Sequence, residues 1–342
     1  MRKNFENWQH KEHEPLILSL SEENKSSLQI AKKLKKLYGI ELKPNSFARL
    51  IRAFLTWNKT KQVQSIEEPV KVAKIEENKP IQRDTKPKRK QDNEVKTYLV
   101  AGCFHFPFHN IKLFDSFLKI INYLGDNLDG IVINGDYLDL MSLSSHAAGQ
   151  NILPGIDLQV EYSSGLDGLL SIDKAITHSG VRKMFNWGNH EDRYKRHMNN
   201  SDNSKYGSAL QSPTDGLKLH ELGYEVNEDW KDGYFTLENK VDVFHGIYCN
   251  KYSAGKHLEM FQRSCVFNHT HRIQSYFSNG IAAFNGGTMA EINNKAFSYM
   301  PRSQKMQWEN GFNVVRFDSG GNEYIQQLTA RNNKFIFDGF VF

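Results

Sequence analysis

Five short stretches of this 342-residue chain gather groups that bind divalent metals. They are Cys103-Phe104-His105; Gly135-Asp136 with Asp139; Gly188-Asn189-His190-Glu191; His245-Gly246; and Asn268-His269-Thr270-His271. Imidazole, carboxylate and amide oxygen are donors that divalent transition metals accept. Too many such groups are present for one ion, and two ions sharing a carboxylate is the simpler reading. Asp136 suits the shared place. It follows the apolar run Ile131-Val132-Ile133, which reads as a buried parallel strand delivering an acid at its C-terminal end. In open α/β sheets that edge is where ligands bind. Alternation along an extended chain would put Cys103 and His105 on one side, and likewise His269 and His271. Each motif is weak alone, since a lone His at a strand end is usually an ordinary hydrogen-bonded residue. The signal is the ordered set, each member at a strand-to-loop junction.

The elements that must position these residues are legible from Lys96 onward. Strands are expected at Thr97–Gly102, Gly130–Asn134 and Arg182–Trp187. Helices are expected at Ile111–Leu124, Leu158–Ile176 and Glu191–Asn199. Strand and helix alternating in this way imply a parallel sheet with crossover helices. After about residue 222 the texture turns to strands: Tyr234–Leu237, Val241–Phe244, Cys265–Asn268, Ile273–Phe277, Asn313–Phe317 and Glu323–Gln327, with one helix at Ala254–Phe261. An α/β half followed by a β-rich half suggests two packed sheets with helices outside.

The chain before Lys96 differs. Residues 13–57 read as a small all-α domain. Pro15–Leu20 forms a short helix. Ser26 or Ser27 caps a second helix carrying Leu28, Ile30, Ala31, Leu34, Leu37 and Tyr38, which Gly39 stops. A third begins at Pro44, Asn45 and Ser46. This helix, turn, helix spacing resembles homeodomain-like helix-turn-helix domains. Lys43, Asn45, Ser46, Arg49 and Arg52 would then face nucleic acid on or near a recognition helix. The same pattern also suits a module that binds protein or packs on its neighbour. Residues 58–95 are a charged linker, rich in Lys, Glu, Gln and Pro. Charge divides at the same place. Residues 1–95 hold 21 Lys and Arg against 13 Asp and Glu (+8), and residues 96–342 hold 23 against 26 (−3). A basic segment attracts nucleic acid, though lysine-rich solvated surfaces look alike. No apolar run is long enough to span a bilayer, and the N-terminus lacks the apolar core of a signal peptide. Three cysteines without framework spacing suggest a reducing compartment. The expected location is the cytoplasm, host cytoplasm if the chain is viral.

The ordered motifs resemble the calcineurin-like metallophosphoesterase superfamily, of phage or bacterial type. That family's pattern is Asp-x-His, Gly-Asp-x-x-Asp, Gly-Asn-His-Glu/Asp, a lone His, then Gly-His-x-His. The resemblance covers roughly residues 96–342 and implies a four-layer αββα sandwich. It also implies two divalent ions, Mn, Zn or Fe. His105 and His271 would bind the first, Asn189, His245 and His269 the second, with Asp136 bridging. His190 would protonate the leaving oxygen or stabilise the transferring phosphoryl group, and a two-metal-activated hydroxide would attack. Two positions depart from the pattern. Asn268 stands for a glycine, and Cys103 for a metal-binding aspartate. A thiolate can ligate zinc or iron; the alternative is a spectator Cys103 with water completing the site. Asp139, Arg193 and His146 are candidates for orienting ligands or meeting substrate. Trp308-Glu309-Asn310-Gly311-Phe312 resembles a stretch of phage-type members. The function implied is a metal-dependent phosphoesterase, most naturally a phosphodiesterase or nuclease given the basic module. A phosphatase acting on small molecules or protein, or a catalytically weakened DNA-binding adaptor, are the alternatives. Oligomeric state stays open.

Overall fold

The computed structural model describes residues 95–144, 155–200 and 210–342, together with Ile30 and Lys32. The chain divides into two compact units, Met1–Ile81 and Gln82–Phe342. The helix-turn-helix residues Lys43, Asn45, Ser46, Arg49 and Arg52, and the loop residue His146, lie outside the described residues.

In the second unit a six-stranded sheet forms from β1 (Lys96–Ala101), β2 (Gly130–Asn134), β3 (Arg182–Asn186), β4 (Tyr224–Asn227), β10 (Gly311–Phe317) and β11 (Glu323–Thr329), in the order β11-β10-β1-β2-β3-β4. Strands β1 to β4 run parallel, with β10 antiparallel on β1 and β11 antiparallel on β10. A second sheet contains β5 (Phe235–Leu237), β6 (Val241–Val243), β7 (Cys265–Phe267), β8 (Ile273–Ser278) and β9 (Ile281–Gly286), in the order β5-β6-β7-β9-β8. Here β6, β7 and β9 are parallel neighbours.

Alternation along each strand decides the layering. On β1 and β2, Leu99, Ala101, Ile131 and Ile133 face one core, while Tyr98, Val100 and Val132 face another. The first core is covered by helices α1 (Ile111–Leu124) and α2 (Leu158–Ala175). On α1 the buried residues Leu113, Phe114, Phe117, Ile120, Ile121 and Leu124 recur at helical spacing and form one apolar stripe. Asn110 caps this helix, its side chain accepting from Leu113 N at 3.1 Å. Each such fully buried side chain contributes roughly 1.5–3 kcal/mol. The second core lies between the sheets, where Val100, Val132 and Met184 meet Val241, Val243, Val266 and Phe284. A third covers the outer face of the second sheet. There Ala254 and Leu258 of the helix Ser253–Phe261 pack on Cys265, Phe267 and Ala283. The result is the expected four-layer αββα sandwich.

Element bounds follow the sequence expectation within one or two residues, and further, mostly short, elements are added. Strands β4 and β9 are absent from the expectation. β4 is only four residues long, and β9 reads Ile-Ala-Ala-Phe-Asn-Gly, with little of the β-branched content that marks a strand. β9 is nevertheless central, because its small residues fit between two sheet neighbours.

Candidate metal centre

The C-terminal ends of β1, β2, β3, β6 and β7 meet at one edge. Each delivers its motif within a few residues of the strand's last position. The loop after β1 lies beside the loop after β2, with Cys103 N donating to Gly135 O at 2.8 Å and His105 N to Asp136 O at 3.0 Å. Cys103 and Asp136 are therefore neighbours, as expected of adjacent strand ends.

The side chains do not converge by the extended alternation expected from the sequence. Cys103, His105, Asp136, His269 and His271 have φ of +53°, +55°, +48°, +63° and +59°. All five sit in the left-handed region, which is unfavourable for residues with a Cβ. The chain turns sharply at each ligand candidate instead of running on as a pleat.

Three clusters result, one of them His105, Asp139 and His190, and the other two share one carboxylate. Cys103, His105, Asp136 and His271 offer donor atoms all within 4.8 Å of one another, and so do Asp136, His245 and His269. In the first cluster, His105 Nε2 and His271 Nε2 stand 3.0 Å apart, and His105 Nε2 is 3.9 Å from Asp136 Oδ2. In the second, His245 Nε2 lies 3.2 Å from Asp136 Oδ2 and 3.2 Å from Asn189 Oδ1. All seven residues expected at two metals are thus brought to one place. The donor set fits divalent ions, because imidazole nitrogens, an amide oxygen and a thiol converge around one carboxylate.

The remaining atoms of these rings are held. His105 Nδ1–H donates to Asp139 Oδ2 at 3.0 Å, the outer contact expected for Asp139. His245 Nδ1–H donates to Asn134 O at 2.9 Å. Both bonds fix the tautomer that leaves Nε2 free. Trp308 packs edge-on against His271 at 4.3 Å, Phe297 against His105 at 5.4 Å, and Glu309 N donates to His271 O at 2.8 Å. Those contacts give the Trp308–Phe312 stretch a bracing role.

His190 and Arg193 form a pair beside the clusters. His190 Nδ1–H donates to Asp139 O at 2.7 Å, Arg193 donates to His190 Nε2 at 3.1 Å, and Arg193 also donates to Asp139 O at 2.7 Å. His190 is therefore neutral here, and Arg193 is the hydrogen-bond donor at its Nε2.

Electrostatics follow from burial and this geometry. Burial lowers His190 to about 3, aided by Arg193, and His269 to about 4, aided by His245; His271 is also driven down by burial. Neutral imidazole is the form that binds metal. Burial pushes Asp136 up, but the imidazoles around it, His245 above all through its charge and its hydrogen bond, outweigh that and hold the carboxyl well below its usual range. Burial, followed by the Asp136 charge, pushes the Cys103 thiol up. A bound cation is what would reverse that bias and favour the thiolate.

Three features escaped the sequence reading. Glu191 is fully buried, and its carboxylate accepts from Asp136 N at 2.9 Å, Leu138 N at 2.9 Å and Gly188 N at 2.8 Å. It holds the backbone that carries Asp136. A line of amides, buried except for the half-buried Asn227, runs beside the site: Asn227 donates to Asn186, Asn186 to Asn134, Asn134 to Asn268, and Asn268 to Gly287 O. This line ties the two sheets together and gives Asn268 a definite task. Cys249 is exposed, with Sγ 3.0 Å from His269 Nε2. Only the Glu of Gly-Asn-His-Glu carried a motif signal. Nothing in the spacing marks the others.

No protein-family model and no curated protein sequence matches the chain. Among solved structures, Vacuolar Protein Sorting 29 from Cryptosporidium parvum is similar at 14% identity and TM-score 0.38, covering 71% of this chain and 95% of that one. Wild-type Vps29 complexed with Zn from Entamoeba histolytica is similar at 11% identity and TM-score 0.29, covering 68% and 98%. A predicted phosphoesterase from Streptococcus pneumoniae is similar at 12% identity and TM-score 0.29, covering 69% and 98%. With scores this low, the architecture rests on the strand order and register above: it is an αββα sandwich with a histidine-rich cluster at its strand ends.

Proposed function

We propose that the chain is a metal-dependent phosphoester hydrolase with a dinuclear centre, of the calcineurin-like kind. The observation that carries this reading is Asp136, one carboxylate common to two imidazole clusters on a single sheet edge. Cys103, His105 and His271 with Asp136 would hold one divalent ion, and Asn189, His245 and His269 with Asp136 the other. Mn, Zn and Fe are the candidate ions. When bound, such a pair lowers the pKa of a water and neutralises charge on phosphoryl oxygens.

The chain's own residues do the rest. Asp139 and the Asn134 carbonyl aim His105 and His245. Arg193 offers a guanidinium that a phosphate oxygen can take in place of His190 Nε2. Phosphate charge next to His190 would then raise its pKa toward the protonated form, which a general acid needs to deliver a proton to the leaving oxygen. The substrate we favour is a nucleic-acid backbone, because residues 1–95 carry a net charge of +8 with helix-turn-helix-like spacing.

Metal analysis combined with a substrate panel tests this. Purified protein is expected to carry about two transition-metal ions per chain. With added manganese or zinc it should hydrolyse bis(4-nitrophenyl) phosphate and DNA or RNA, and Asp136→Ala should abolish both activities. A chain that holds no ion and turns over no phosphoester ends the reading. Turnover of monoesters alone would replace nuclease with phosphatase.

A further inference from the structure

The three cysteines occupy different surroundings. Cys265 is buried under the outer helix, Cys103 is buried in the first cluster, and Cys249 is exposed. Cys249 Sγ lies 3.0 Å from His269 Nε2, while His269 Nδ1 is buried and has no hydrogen-bond partner among the described residues. Two arrangements of protons satisfy that distance. If the thiol donates to Nε2, then Nδ1 carries the ring proton, and a buried N–H is left with no acceptor, which is costly. If Nε2–H donates to sulfur, Nδ1 keeps a buried lone pair with no donor in reach. His269 belongs to the cluster of Asp136 and His245, so a buried lone pair on its ring can serve as a ligand atom. Sulfur is a weak acceptor, but it can fill this role.

The loop that carries Cys249 is built to hold it. Ile247 N and Tyr248 N donate to His257 Nε2 at 3.1 and 3.4 Å, and His257 Nδ1–H is anchored on Ser253 O at 2.8 Å. On the other side, Arg272 donates to Asn250 O at 3.0 Å. The sulfur is thus pinned from the residues before it and from the residue after it.

We propose that Cys249 is a positioning residue for the second metal: its sulfur takes Nε2–H of His269 and so turns Nδ1 toward the ion shared with Asp136, His245 and Asn189. This rests on the dinuclear reading above. A ring nitrogen opposite the metal usually donates to a carboxylate or carbonyl. Here a solvent-reachable thiol has that place, which makes this metal position sensitive to reagents that the buried cysteines escape.

The test is metal titration of full-length wild type, Cys249→Ala, Cys249→Ser and Cys249→Asp, with zinc or manganese as the probe. Removing the outer partner should weaken one of two binding events by about 10–100-fold and leave the other alone. Cys249→Asp should restore the lost affinity, and Cys249→Ser should lie between. Because Cys249 is exposed on a loop, unfolding midpoints of the metal-free variants should match wild type. N-ethylmaleimide should modify Cys249 ahead of Cys103 and Cys265 in the native chain and produce the same loss. Two binding events of wild-type strength in Cys249→Ala overturn the proposal. So does a sulfur-to-cobalt charge-transfer band in the cobalt-loaded protein that Cys249→Ala removes and Cys103→Ser keeps, since Cys249 would then be a ligand itself. A wild-type chain that binds no ion sinks the dinuclear reading instead, and is told apart because wild type is then the silent sample.

Discussion

Five ligand candidates in the left-handed backbone region each cost of order 1–3 kcal/mol, so something must hold them there. Glu191 is the clearest holder, because its two oxygens accept three backbone N–H groups of the loops around Asp136. Removing it leaves these donors buried and unpaired at about 1–3 kcal/mol each. Glu191→Ala should therefore lower the unfolding free energy by about 3 kcal/mol or more in denaturant titrations, and it should also lose metal. His190→Ala separates chemistry from binding in the opposite way. Its ring belongs to the Arg193–Asp139 network and to neither shared-carboxylate cluster. That variant should keep wild-type metal content while kcat falls by about 10²–10⁴-fold, the usual range for a general acid. At this scale the sequence displayed what lies inside short motifs, such as Asp136 or His269 with His271. It hid what depends on distant partners. Cys249 meets His269 across twenty residues of chain, and no spacing rule joins them.

At the scale of elements, the long periodic segments were legible because one apolar face decides them. Helix α1 spans Ile111–Leu124 in both the sequence reading and the structure. The short central strand β9 was hidden, since packing between two sheet neighbours decides it and intrinsic preference does not. Close approach between elements was hidden too. A Cβ on Gly188 would collide with the Asp136 carboxylate and backbone, so Gly188→Ala should shift Asp136 and reduce metal content even though the variant folds. Helix α2 adds a pH-dependent link. Its Glu161 is buried and accepts from Met141 N at 2.6 Å and from Ser142 N at 3.2 Å, in the turn that follows Asp139. Burial raises its pKa to about 7. A raised carboxyl pKa means that the folded chain holds the proton more tightly than the unfolded one, so stability is greatest at low pH and falls as pH rises through about 4.5 to 7. The loss is of order 3 kcal/mol. Glu191, also raised to about 7 by burial, shares that window. Glu161→Gln should flatten the wild-type decline between about pH 5 and about pH 8 without abolishing it, as read from urea unfolding of metal-free protein.

For the whole molecule the decisive asymmetry is electrical. Residues 1–95 carry +8 and residues 96–342 carry −3, so the segment suited to polyphosphate and the segment carrying the candidate metal centre are different parts of the chain. No helix among the described residues is long and apolar enough to cross a membrane. If residues 96–342 hydrolyse phosphoesters as proposed, their net negative charge repels nucleic acid in general, and bound metals would reverse that only locally. Capture would then fall to the basic segment, through phosphate contacts that release counterions. If Lys43, Arg49 and Arg52 each neutralise one phosphate, log affinity should fall with log salt at a slope of about −2.7 for duplex DNA. Replacing all three by Ala should flatten that slope and weaken binding at low salt. Hydrolysis of a small diester should be unchanged, because its substrate needs no capture. The readout is fluorescence anisotropy of labelled duplex across a salt series, set beside bis(4-nitrophenyl) phosphate turnover. A slope that survives the triple replacement would move capture away from these three residues. Equal loss of small-diester turnover would show that the basic segment acts on the active site itself.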